Sequence, residues 1–240
     1  MASALHKKPQ NAPVQAGGRI ASEADLAASL KALRALDDRL PTVIDRAGPL
    51  PLRKNPDRLK GLVATMIGQQ VSRASAAAIF GRLDAALDLD DPAAILGAPE
   101  TVYRAAGLSR AKHRTILALA LAVADGELDF GRIAAAPAED AIAELVRLPG
   151  IGPWTAESYL LFSLGHPDVF PSGDLALQVA VADAFALTER PKAKALAGMA
   201  EVWAPYRATA ARLFWAYYRA ITARDAAPVG LAEAGPDQAG

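Results

Sequence analysis

The stretch RLPGIGPWTA, Arg147 to Ala156, places two prolines and two glycines within ten residues and then restarts a helix at Pro153 and Trp154. Ala141, Ile142, Leu145 and Leu148 form an apolar stripe before it, and Tyr159, Leu160 and Phe162 continue one after it. The turn is therefore pinned between two amphipathic helices. Gly150 and Gly152 permit positive φ and carry no side chain, so their N–H groups can point outward beside the next helix N-terminus. Such a turn can cradle an anion; read alone, the plain connector between helices is the favoured reading.

Outward from this hairpin, the chain reads as helices joined by short turns. Ser22 caps a helix to about Asp38, with Asp25 three residues on. Pro56 opens a second, in which Leu59, Leu62, Val63, Met66 and Ile67 recur at helical spacing. Ser72 starts a third, to about Leu87; Asp91-Pro92 and Ser109 cap two more, the latter running to Asp125. Helices over Asp140–Leu148 and Pro153–Leu164 flank the hairpin, two follow from Asp174 and Lys192, and the last spans Pro205 to Arg224. Alanine and leucine dominate and β-branched runs are scarce, so the fold class is all-α, with about ten helices. Residues 1–20 and 227–240 lack periodicity and read as disordered tails, leaving a folded domain over 21–226.

Composition excludes several classes. The 240 residues include no cysteine, which rules out disulfides, Cys-ligated zinc and iron–sulfur clusters. The N-terminus has no signal-peptide core and no stretch is apolar enough to span a membrane, so a cytoplasmic protein without membrane partners is expected. Net charge is zero, yet Thr101–Ala124 and Trp203–Arg224 contain no acid, and Arg53–Arg82 has only Asp57. These segments are either a basic binding surface or ordinary solvated helix faces.

The full string LPGIGPWTA, with Asp174 following in HPDVFPSGDLALQ, resembles the helix–hairpin–helix, Gly/Pro/Asp (HhH-GPD) superfamily of DNA glycosylases. Within it, the bacterial 3-methyladenine DNA glycosylase II (AlkA) type is most similar. ATMIGQQVSRASAAAIFGRL (Ala64–Leu83), AAGLSRAKHRTILALA (Ala105–Ala120) and ARLFWAYYRA (Ala211–Ala220) match in the same order, covering about residues 55–224. The resemblance implies a two-lobed fold, with one lobe of 21–58 and 170–226, a central lobe of 59–169 and the hairpin at 148–153. It departs from the AlkA type at the start, where the β-rich N-terminal domain of that enzyme has no room before Ser22.

The resemblance also implies a chemistry: a monofunctional glycosylase that flips out alkylated bases such as 3-methyladenine or 7-methylguanine, cuts the N-glycosidic bond and leaves an abasic site. Its partner would be double-stranded DNA holding a damaged base, bound by a monomer at the bacterial nucleoid. Asp174 matches the catalytic aspartate; on its own it would be a helix-capping acid. A carboxylate facing C1′ can stabilise the positive charge that develops there. Asp168 is the competitor, taken as loop structure. Trp154 stands where the strand-cleaving relatives keep a Schiff-base lysine. Trp154 and Trp215 match aromatic pocket positions, with Tyr206 and Tyr159 as helpers, and aromatic faces attract cationic bases; core packing is the alternative for Trp215. DNA contacts fall to Gly150, Gly152 and Thr155 at phosphate, Gln69 and Gln70 at the wedge (or as bridges between helices), and Arg110 and Lys112 at phosphate or surface. No cofactor is required, but a structural Na+ or K+ is implied on the carbonyls of Val146, Leu148 and Ile151. Other readings are a glycosylase for deaminated or oxidised bases, and a non-catalytic DNA-binding protein.

Overall fold

In the computed structural model, which describes residues 18–223, the chain is helical, with no strand among the described residues. The helices are α1 (Glu23–Arg34), α2 (Leu40–Ala47), α3 (Arg58–Ile67), α4 (Arg73–Ala86), α5 (Pro92–Gly97), α6 (Glu100–Ala106) and α7 (Arg110–Ala124). They continue with α8 (Phe130–Ala135), α9 (Ala138–Leu145), α10 (Pro153–Phe162), α11 (Leu175–Ala184), α12 (Ala193–Ala200) and, after a 3-10 turn at Glu201–Trp203, α13 (Arg207–Thr222). That is thirteen α-helices among the described residues, where the sequence suggested about ten. Apart from residues 18–20, the two tails lie outside the described residues. Ile20 is no tail residue: it is buried, and its N–H donates to the Gly165 carbonyl at 2.8 Å.

Local chemistry sets the helix starts. Ser22 and Asp25 form a reciprocal capping box, and Ser72, Asp91, Ser109 and Asp129 each accept an N–H of the first turn through a side-chain oxygen. Such caps contribute about 1 kcal/mol each. The apolar faces bury into two cores. One gathers Leu26, Leu33, Val43, Leu177, Trp203 and Phe214 from the two ends of the chain. The other gathers Leu62, Met66, Leu83, Ile116, Leu145 and Tyr159 from its middle. Each large side chain fully withdrawn from water contributes roughly 1.5–3 kcal/mol.

Helix α10 belongs to both cores: Leu160 packs in the second, Leu161 and Phe162 in the first. Its N-terminus thus emerges at the seam, where the turn after α3 and the start of α11 also arrive.

Candidate nucleic-acid interface and active site

The hairpin between α9 and α10 closes on a glycine whose backbone and surroundings strain any side chain. Gly150 adopts φ +80°, and a Cβ there would stand 2.2 Å from the Thr115 hydroxyl oxygen. Across the turn, Ile151 is buried and its N–H donates to the Leu148 carbonyl at 3.1 Å. The N–H groups of Gly150, Gly152 and Trp154 donate to no protein acceptor among the described residues. Thr155 differs from expectation, because its N–H already donates to the Gly152 carbonyl at 3.0 Å. The unpaired donors are therefore Gly150 in the turn and Gly152 and Trp154 at the start of α10, where a helix leaves its first N–H groups open. The carbonyls of Val146 and Ile151 accept no backbone N–H outside helices among the described residues, while that of Leu148 accepts one. All three residues border the same open hollow as Gly150 and Trp154.

The turn after α3 leans on this hairpin. Gln69 donates through Nε2 to the Gly150 carbonyl at 3.1 Å and to the Thr155 hydroxyl at 2.7 Å. It is a bridge between helices, the alternative the sequence had left open. Gln70, next in line, is exposed and adopts φ +56°, an uncommon backbone for a residue with a side chain. It projects from the turn together with Val71, also exposed. Lys112 turns inward: its Nζ donates to the carbonyls of Ile67 and Gln69, both at 2.7 Å, and burial lowers its pKa. It holds the end of α3 in the manner of a C-terminal cap. Arg110 is exposed, at the first position of α7.

Asp174 sits where these pieces converge. As N-cap of α11, it accepts the N–H groups of Ala176 and Leu177 on Oδ1 at 2.8 and 3.1 Å. Trp154 Nε1 donates to Oδ2 at 2.9 Å and Trp215 Nε1 to Oδ1 at 3.3 Å. The capping reading of this residue holds, and two indole N–H groups reach the same carboxylate. Every bond its carboxylate makes is one it accepts, as suits a group fixed in one orientation. Trp154 is half-buried and borders the hollow. Trp215 is only 2 % exposed and stacks on Phe162 at 5.5 Å between ring centroids. It offers the site an N–H on Asp174, not an open ring face.

The two tyrosines do not join this group. Tyr159 follows Trp154 by five residues, which rotates it about 140° around the helix, and it lies fully buried against Phe130 in the central core. Tyr206 precedes the first turn of α13, about 13 Å along the axis from Trp215, and packs on the other core. Asp168 is paired with Arg207 through two bonds of 2.6 and 2.9 Å, so it anchors its loop. One residue was missed from the sequence: Glu157. Burial, reinforced by the negative charge of Asp174, pushes its carboxyl up to about 8. Its trace in the sequence was a lone charge in an otherwise uncharged helix.

Among the described residues no helix is long and apolar enough to cross a membrane. The HhH-GPD superfamily of base excision DNA repair proteins matches residues 63–205. A putative DNA-3-methyladenine glycosylase of Bacillus subtilis is 34% identical over 93 residues, 39% of this chain and 32% of its own. A probable bifunctional transcriptional activator/DNA repair enzyme AlkA of Mycobacterium tuberculosis is 32% identical over 203 residues, 80% of this chain and 40% of its own. The chain thus spans between a third and two-fifths of the length of these relatives. Among solved structures, the DNA-3-methyladenine glycosidase of Bacillus halodurans superposes with a TM-score of 0.70 at 31% identity, covering 85% of this chain and 92% of that one. The 3-methyladenine DNA glycosylase Mag1 of Schizosaccharomyces pombe, in complex with abasic DNA, gives 0.70 at 25% identity, covering 80% and 95%.

Proposed function

Because the chain belongs to the HhH-GPD superfamily of base excision DNA repair proteins, we propose that it is a monofunctional DNA glycosylase that removes alkylated bases from duplex DNA. The observation that carries this reading is Asp174, held by two indole N–H groups beside a hairpin with three outward N–H groups. Capping α11 accounts for the bonds to Ala176 and Leu177, and the two indole N–H groups go beyond what a cap needs.

The chemistry follows from the placement. Gly150, Gly152 and Trp154 bind a backbone phosphate through their N–H groups, with the partial positive charge of the α10 N-terminus behind them. A Na+ or K+ on the carbonyls of Val146, Leu148 and Ile151 would add positive charge to that grip, and no chemical step depends on it. Gln70 enters the duplex and fills the vacancy left when the damaged nucleotide turns out, a displacement that costs a few kcal/mol. The flipped base meets Trp154, whose ring attracts the positive charge of a 3-methyl- or 7-methylpurine by roughly 0.5–2 kcal/mol. As the N-glycosidic bond stretches, positive charge grows on the sugar and Asp174 faces it; water then completes the hydrolysis. With tryptophan at the hairpin exit, no amine stands there to form a Schiff base, so the product is an intact strand with an abasic site.

Duplex DNA with a single 7-methylguanine tests this. Free base release and an alkali-labile abasic site are expected, with no covalent complex trapped by borohydride. Sound DNA binding without base release would favour the binding-only reading.

A further inference from the structure

Glu157 is the one charged residue of α10, and residues three apart on a helix share a face. Glu157 therefore shares a helix face with Trp154, whose indole holds Asp174, and it stands near enough for the Asp174 charge to act on its carboxyl. Its neighbours Thr155, Ala156, Ser158 and Tyr159 are buried while Glu157 stays partly open, and it makes no hydrogen bond or ion pair with any described residue. The two carboxyls of the site thus have opposite surroundings. Asp174 is gripped by four donors, whereas Glu157 has none and lies in a drier place beside another carboxylate. Burial and that neighbour keep the Glu157 proton on at neutral pH. Paired acids with unlike surroundings divide the roles of acid and base between them.

Building on the glycosylase reading, we propose that Glu157 is the proton donor to the departing base, and that it extends the reaction to uncharged purine lesions. A cationic methylpurine leaves as a neutral molecule unaided. An uncharged purine leaves as an anion unless a ring nitrogen is protonated as the bond breaks. In this step the electron pair of the C1′–N bond goes to the base, and the proton on the Glu157 carboxyl moves to the base. Water then adds its oxygen to C1′ and returns a proton to Glu157, so the sum is hydrolysis and the acid is restored. General acids of this kind contribute about 10²–10⁴-fold.

The test compares Glu157→Gln with the wild-type protein on two duplexes under single-turnover conditions, one holding 7-methylguanine and one holding hypoxanthine. Gln keeps the shape and removes the proton, and thermal unfolding of both proteins checks that each is folded. The expected result is a loss on hypoxanthine at least tenfold greater than the loss on 7-methylguanine. Equal losses on the two bases, or no loss on either, overturn the proton-donor role. Wild-type protein that releases 7-methylguanine but no hypoxanthine also overturns it, while leaving the proposed function standing. Release of neither base defeats the proposed function itself.

Discussion

Replacing Asp174 by Asn tests the centre of the site, because its hydrogen bonds divide unequally between the two oxygens. Oδ1 accepts from Ala176, Leu177 and Trp215, and Oδ2 accepts only from Trp154. An asparagine keeps the helix cap and the Trp215 bond by placing its carbonyl at Oδ1. Its NH2 group then meets the Trp154 N–H, donor against donor. Two losses follow. The charge opposite the developing cation disappears; at about 4 Å and an effective dielectric near 20 it is worth about 4 kcal/mol, a factor of roughly 10³ in rate. Trp154 is also pushed from its position, which weakens base binding. Stability should fall by only about 1 kcal/mol, since the cap survives. Single-turnover release of 7-methylguanine measures the rate, and urea unfolding the stability. Asp174→Ala should match the rate loss but destabilise by a further 1 kcal/mol or so, because two N-terminal amides lose their acceptor. An Asp174→Asn protein that retains more than a tenth of the wild-type rate would refute the reasoning. So would an Ala variant as stable as the Asn variant.

Gly150→Ala should cost about 2–4 kcal/mol, from positive φ and from the collision with Thr115 at 2.2 Å. Adding Thr115→Ala should recover at least 1 kcal/mol in urea unfolding, since the two side chains compete for one space; additive losses would contradict this. Lys112→Met should weaken DNA binding by about tenfold while leaving the salt slope unchanged, because its ammonium holds carbonyls; Arg110→Ala should lower the slope by about one. Fluorescence titrations at several salt concentrations distinguish the two residues. Glu157 has a folded-state pKa raised from 4.5 to about 8, so the stability it lends is complete below about 4.5 and is lost as pH rises towards 8. Glu157→Gln should flatten that fall by about 4 kcal/mol, roughly three pH units at about 1.4 kcal/mol each, read from unfolding at pH 5 and pH 8.5; an unaltered pH profile would exclude it.

The sequence carried the long helices and their caps, because Ser22, Ser72 and Ser109 sit directly before clear apolar periods, and it carried the short α5 through its Asp91-Pro92 start. It did not carry α2, α6 and α8, with 8, 7 and 6 residues. Two turns of helix are too short to show a period, and packing against neighbours decides them. The hairpin and Asp174 were legible because a backbone with special φ leaves glycine and proline behind. Tyr159 misled because an aromatic residue near a motif says nothing about which face it occupies, and its five-residue offset from Trp154 turns it into the core. Glu157 went unnoticed because the Asp174 charge that acts on it is distant in sequence and is brought near only by folding.

The Gln69 bridge has a mechanical consequence. By tying the turn that carries Gln70 to Gly150 and Thr155, it would make the proposed backbone clamp and the proposed wedge one stiff tool with a fixed reach. Such a tool would apply the same push to every step of a duplex. Steps that yield are those whose stacking is already weakened by damage, so the first screening of a lesion would be a test of local softness, made before any atom of the base is read.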